Sequence, residues 1–226
     1  MAYVYAPGRK SESAQAHLGN YCGILQADGY SGYPALAKRG QQLSLAFCWS
    51  HVRRKFYELA GNSPVAAEVL RRIAMLYAIE DQVRGTWAEH RRAMRAEEAR
   101  VIVDDLHLYL EARLLQVSAK SKLADAIRYA LTRWTGLSLF LDDSRVELDS
   151  NSVERSIRPL ALNRKDALFA GSDEGGDNWA VIATLIENCK ISGVNPHTWL
   201  AQTLAKLASS HPANAVGELM PWIAVA

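Results

Sequence analysis

Asp28, Glu154 and the pair Cys48 and His51 are the side chains whose type and spacing could carry chemistry. Asp28 follows a short apolar run, residues 23–27, and precedes Gly29, so its carboxylate stands where a buried strand gives way to a turn. A strand end is a rigid support from which a carboxylate projects into a cleft, but aspartate is also a common turn residue, because it bonds nearby backbone donors. Alone, Asp28 reads as a turn. Glu154 lies in Asp149-Ser150-Asn151-Ser152-Val153-Glu154-Arg155-Ser156-Ile157-Arg158-Pro159. Asn151 and Glu154 have capping-box spacing, which gives the glutamate a local structural job. Glu154 and Arg158 also share a helix face, and a carboxylate beside a guanidinium can hold a metal ion while gripping a phosphate.

Cys48 and His51 place a thiol and an imidazole three residues apart. A zinc site needs two further ligands, and no second such pair occurs in the chain. A Cys-His nucleophile needs a third, orienting group. The economical role is structural, packing a strand against the helices that follow. Arg53, Arg54 and Lys55 come next and form one basic cluster; Arg155, Arg158, Arg164 and Lys165 form another. Such stripes suit a phosphate backbone, or simply solvate helix faces. The acidic pairs Glu97-Glu98, Asp104-Asp105 and Asp142-Asp143 read as solvated charge.

The elements that position these residues change character along the chain. Residues 2–5 read as a strand, 12–18 as a short helix, 23–27 as a buried strand, 33–37 as a short helix and 43–49 as a second buried strand. From about residue 51 to 141 the pattern is helical. Ser63 and Pro64 open one helix with an apolar stripe of Val65, Val69, Ile73, Leu76 and Val83. Thr86 and Glu89 form a capping-box pair for a long helix running towards Gln116. Ser121 caps another that ends at Gly136. Beyond it, residues 145–148 read as a short strand. A helix starts near Asn151, and Pro159 is expected to end or kink it. Residues 171–176 read as a polar turn, Trp179 to Cys189 as an amphipathic helix, and Asn195-Pro196 as the start of one more.

The 226 residues suffice for one full core, and 49% apolar with 22% charged residues is the balance of an ordinary globular protein. No apolar run approaches the ~20 residues a membrane span needs. Three scattered cysteines make no disulfide framework, which fits a reducing cytoplasm. The net charge of +2 is too small to announce nucleic-acid binding by itself.

Taken together, several stretches resemble the transposases of the insertion-sequence-66 family. They are Tyr5-Ala6-Pro7-Gly8-Arg9-Lys10-Ser11-Glu12, Leu25-Gln26-Ala27-Asp28-Gly29-Tyr30, Cys48-Trp49-Ser50-His51-Val52-Arg53-Arg54, Glu147-Leu148-Asp149 and Val153-Glu154-Arg155-Ser156-Ile157-Arg158-Pro159. They occur in the family's order and extend through Leu219-Met220-Pro221-Trp222. Where the family reads Asp-Asn-Asn before the glutamate, this chain has Ser150 in place of the first asparagine.

The resemblance implies an α/β, RNase H-like catalytic core with a large helical insertion and a helical C-terminal part. The corresponding division is 1–50 for the first part of the core, 51–144 for the insertion, 145–192 for the second part and 193–226 for the extension. By the same resemblance Asp28 and Glu154 are the second and third carboxylates of a DDE triad that binds Mg²⁺ (or Mn²⁺). Arg53, Arg54, Lys55, Arg155, Arg158, Arg164 and Lys165 would neutralise DNA phosphates, with Cys48 and His51 as a structural motif. The chemistry implied is DNA cleavage and strand transfer at transposon ends and target. A homo-oligomer or an intact transposase is the implied protein partner, in a cytoplasmic, nucleoid-associated setting. The strand that carries the first aspartate is expected to lie before Met1, which makes this chain a truncated copy without Mg²⁺-dependent strand transfer. The alternative is a non-catalytic fragment that binds DNA or interferes with an intact transposase.

Overall fold

The computed structural model describes residues 1–8, 11–28, 32–33, 42–166 and 171–223. It is 68% helical and carries one small parallel sheet of two strands. The chain divides into two compact units, one of residues 10–153 and one of residues 1–9 with 154–226.

In the central unit, α1 (Ser11–Leu18) leads to β1 (Gly23–Ala27), which pairs in parallel with β2 (Leu43–Phe47). The register runs from Gly23 opposite Leu43 to Ala27 opposite Phe47. The second strand is shorter than its apolar run, because Trp49 already belongs to α2 (Trp49–Tyr57), which buries Trp49, Val52 and Phe56. Next comes α3 (Pro64–Val83), where the Ser63 hydroxyl accepts from the Ala66 amide and Pro64 occupies a first-turn position that has no amide bond to lose. Its buried stripe of Ala66, Val69, Ile73, Leu76, Ile79 and Val83 follows the helical period.

The long helix expected after Thr86 is present as one helical run from Ala88 to Leu114, widened midway by a π segment, but Thr86 does not cap it. Trp87 is the N-cap of α4 (Ala88–Met94), and the Thr86 hydroxyl donates back to the Val83 carbonyl instead of capping. A π turn over Arg95–Ala99 then joins α4 to α5 (Arg100–Leu114). Arg95 points inward with no exposed surface, and its guanidinium donates to both carboxylate oxygens of Glu80 at 2.6 and 2.7 Å. It also donates to the carbonyls of Phe140 and Val146, each at 2.9 Å. A charge taken out of water is tolerated only with such complete pairing. The bonds also fasten the stretch before Asp149 to the helices.

The unit is completed by α6 (Lys122–Leu131), capped by Ser121, and the short α7 (Trp134–Ser138). Gly136 does not end a helix; it lies inside α7, where a Cβ would collide with the Leu45 carbonyl and the Phe47 ring. That close approach seats α7 on β2. Residues 145–148 form turns instead of a strand, with Val146 and Leu148 buried in the core.

The terminal unit carries α8 (Asn151–Asp166, which begins in the central unit), α9 (Asp173–Ile191) and α10 (Pro196–Ala208). Pro159 sits within α8 without ending it, so the loss of one amide donor is absorbed inside the helix. The polar run at 171–176 is a helix start: the Ser172 hydroxyl accepts from the Gly175 amide. Residues 2–5 form no strand among the described residues. Their polar groups are used otherwise. The Tyr3 amide donates to Thr184 Oγ1 at 2.8 Å, its hydroxyl donates to the Ser156 carbonyl at 2.7 Å, and the Tyr5 hydroxyl donates to Asp173 at 2.8 Å. The short helix expected at 33–37 falls largely outside the described residues. No helix among those described is long and apolar enough to cross a membrane.

Candidate nucleic-acid and metal site

Because β1 and β2 are parallel and end in register, Asp28 and Cys48 leave the sheet at the same end. In open parallel sheets, ligands bind outside the carboxyl ends of the strands. Asp28 is exposed there, whereas Cys48 is buried. Cys48 is the N-cap of α2 but makes no side-chain cap bond; its sulfur accepts from the Ser150 amide at 3.3 Å. The neighbouring Trp49 amide donates to the Leu148 carbonyl at 3.1 Å, and Gln26 Nε2 donates to the Glu147 carbonyl at 2.6 Å. Residues 147–150 are thereby stitched to both strands. The Trp49 indole donates to the Leu137 carbonyl at 2.9 Å and meets Trp134 edge-on, which ties the same junction to α7.

Asp149, the first acid of the motif before Glu154, is consumed by local structure. One oxygen accepts from the Asn151 amide at 3.0 Å; the other accepts from Asn151 Nδ2 at 2.6 Å and from the Tyr77 hydroxyl at 2.8 Å. Burial, then the bond to Asp149, pushes the Tyr77 phenol far above its ordinary value. Asp149 is therefore an anchor for the start of α8.

Basic and aromatic side chains gather on α2 and α6, and one of them, Tyr129, feels the Asp28 charge. Arg53, Arg54 and Lys55 are exposed on α2, with the Arg53 guanidinium 5.5 Å over the Tyr57 ring. Lys55 Nζ lies 4.9 Å over the ring of Tyr129 on α6, and the Arg133 guanidinium lies 4.0 Å over the same ring. Burial raises the Tyr129 phenol, the Arg133 charge opposes that, and Asp28 and Cys48 raise it further, which sets Asp28 within electrostatic reach of this group.

The structure gathers Asp28, Cys48, His51 and the Arg53–Lys55 cluster in the central unit. Glu154, Arg155 and Arg158 belong to the terminal unit, with Glu154 half-buried in the first turn of α8 and both arginines exposed. The side chains of Arg164 and Lys165 lie outside the described residues. Tyr77, Tyr129 and Arg133 have no signal in the sequence: each looks like one more residue of an amphipathic helix. Asp149 had one, as an acid immediately ahead of a helix start.

Comparison with known proteins supplies the wider frame. Three curated relatives from Sinorhizobium fredii (strain NBRC 101917 / NGR234) align with nearly the whole chain. The uncharacterized protein y4qI is 46% identical over 98% of this chain and 43% of its own length. The uncharacterized protein y4jD is 41% identical over 98% of this chain and 45% of its own length, and the uncharacterized protein y4hP 39% over 97% and 43%. The chain thus spans less than half the length of these relatives. No solved structure matches it. Residues 1–178 match the model of the transposase IS66 family, and residues 184–222 match the IS66 C-terminal element. Two adjoining matches of that extent settle its kinship: the chain belongs to the IS66 transposase family.

Proposed function

We propose that this chain carries part of a DDE-type catalytic centre for DNA cleavage and strand transfer, with Asp28 and Glu154 as two of its carboxylates. The observation that carries the reading is Asp28 itself, an exposed acid at the carboxyl end of β1 beside a basic, aromatic edge, in a chain of the IS66 family. The parallel strand pair is the part of an RNase H-like sheet that this reading requires. Residues 51–144 are then an insertion between the two parts of the core, 1–50 and 145–192, and residues 193–226 are an extension.

Asp28 fits a hard divalent cation, since an exposed carboxylate on a rigid strand end offers oxygen ligands of the kind Mg²⁺ or Mn²⁺ takes. Cys48 does not fit one: it is a soft ligand, buried, and already accepts from the Ser150 amide. Its bond to the Ser150 amide makes Cys48 a clasp between the strand ends and residues 147–150, with His51 read beside it as a structural motif. When bound, the metal ions supply activation of a water or 3′-hydroxyl and stabilisation of the leaving oxygen. The chain's own contribution is to hold the carboxylates and to bind DNA. Arg53, Arg54, Lys55, Arg155, Arg158, Arg164 and Lys165 contact phosphates, which fix the register of the duplex without reading its sequence.

The test is Mg²⁺- or Mn²⁺-dependent nicking and strand transfer on a duplex carrying the element's ends, by the protein with and without Asp28→Asn and Glu154→Gln. The resemblance puts only the second and third carboxylates in this chain, so no strand transfer is expected from it by itself. With this region placed in a full-length family member, both variants should lose turnover and retain DNA binding. Turnover that survives Asp28→Asn refutes the assignment. DNA binding with no turnover in any form supports instead a non-catalytic fragment that interferes with an intact transposase.

A further inference from the structure

We propose that Lys55, Tyr129 and Arg133 form a DNA-phosphate contact beside Asp28, so that the helical block grips the strand presented to the strand ends. The proposal rests on the reading above only in taking DNA as the ligand. Its first support is a contrast in how cations are partnered. Several arginines of the helical block and of the stretch just after it are neutralised by acids, Arg71 and Arg72 by Glu68, Arg95 by Glu80, Arg100 by Asp142 and Arg145 by Asp143, although Arg113, which bonds Gln116, has no acid partner. Among the described residues, Arg53, Arg54, Lys55 and Arg133 have no carboxylate within ion-pair distance. The chain has 24 acids for 26 basic residues, so scarcity of acids does not explain the gap.

The second support is preorganisation. Two cations converge on one ring, Arg133 at 4.0 Å and Lys55 at 4.9 Å, and their mutual repulsion is only partly offset by the ring's negative face. An anion between or above them would relieve that repulsion. Arg133 is held in place, because its Nη1 donates to the Tyr129 carbonyl and to Thr132 Oγ1, each at 3.3 Å. Tyr129 is half-buried and packs against the core, so neither partner has to be ordered on binding. Its raised phenol keeps the proton and can donate to a phosphate oxygen.

The third support is location. The Arg133 guanidinium stands 5.8 Å over the ring of Phe47, the register partner of Ala27, which immediately precedes Asp28. A phosphate held there lies along the edge where Asp28 projects. The competing explanation is that these long side chains merely cover aromatic surface with their stems.

The two are separated by fluorescence anisotropy of the full chain with a short labelled duplex of arbitrary sequence, titrated over a range of NaCl in EDTA. Arg133→Ala and Lys55→Ala should each weaken binding several-fold and lower the slope of log K against log salt by about 0.9, the signature of one lost phosphate contact. Tyr129→Phe, which keeps the ring, should hold most of the affinity. Arg145→Ala is the control: it removes the same charge, from an arginine already paired with Asp143, and should leave the slope unchanged. Thermal melts confirm that each variant is folded, and Arg133→Ala removes a partly exposed side chain, so it tests the contact even if Tyr129 variants unfold. An unchanged slope in Arg133→Ala and Lys55→Ala overturns the proposal, as does an equal loss in Arg145→Ala or no duplex binding by the unaltered chain. Binding in EDTA involves no cleavage, so nicking lost in Asp28→Asn would uphold the catalytic reading even where the slope shows no contact at Arg133.

Discussion

The two units bury their apolar side chains very differently. In the central unit Trp49, Phe56, Ile73, Leu76, Leu106 and Ile127 lose all contact with water, and even an arginine is enclosed. In the terminal unit the helices keep Val181, Ile182, Ile191 and Leu204 more than half exposed, and much of the described order comes from hydroxyl and indole donors such as Tyr3, Tyr5 and Trp199. Asp28 therefore stands on a closed core, while Glu154 stands on a helix of a unit held together largely by polar clasps. The difference teaches that the two proposed carboxylates have supports of unequal stiffness.

The strongest way to break that comparison is at Arg95. Arg95→Ala strands a buried Glu80 and should cost ~3–5 kcal/mol in urea denaturation, whereas Arg95→Met combined with Glu80→Leu should cost far less. If Arg95→Ala is mild, the central unit is not the rigid one. Gly136→Val forces α7 off β2 and should cost about 1–3 kcal/mol by overpacking, with hydrogen exchange at Leu43–Phe47 accelerating. Tyr3→Phe removes only the bond to the Ser156 carbonyl, so about 1 kcal/mol is expected. Faster exchange should then appear in α8 and α9 and not in α3; exchange spreading into α3 would mean that the units are not separate in stability.

The smallest effect is one of pH. Hydrogen bonds from Arg71 and Arg72 lower Glu68 from 4.5 to about 2, and hydrogen bonds from Arg145 lower Asp143 from 3.8 to about 2. Both folded values lie below the unfolded ones, so the stability they add is complete above about pH 4.5 and is lost as pH falls towards 2. Solvent screening keeps it below about 1 kcal/mol per pair. Glu68→Gln should flatten the acid limb of the central unit's stability curve by that amount and leave the terminal unit's unchanged.

How much of this was legible in the sequence depends on the range of the interaction involved. Caps act over three residues, so Ser63, Ser121 and Asn195 marked their helices correctly. The strands at Gly23–Ala27 and Leu43–Phe47 were legible from short apolar runs bounded by turns. Thr86 misled as a cap because its hydroxyl has a nearer carbonyl to satisfy, while Pro159 does not end its helix, which leaves the other half of the expectation, a kink. Residues 2–5 have the residue types of a strand, yet their polar groups bond to helices far along the chain. At the candidate site, Asp28 and Cys48 could be found from their positions at strand ends. The bonds that define their surroundings join residues such as Tyr77 and Asp149, 72 apart, and no local pattern records them.

The bond between Cys48 and Ser150 spans 102 residues, and the Trp49 amide meets the Leu148 carbonyl beside it. The helical block is thus a closed excursion whose exit and return are one hydrogen bond apart. Closing a longer excursion costs little, about 0.6 kcal/mol for each doubling of its length. The turn at residues 84–87, where Trp87 is 76% exposed after a left-handed Gly85, is open to insertion. A foreign hairpin or small domain grafted there would extend the block's reach while the junction at Cys48 and Ser150 kept its spacing.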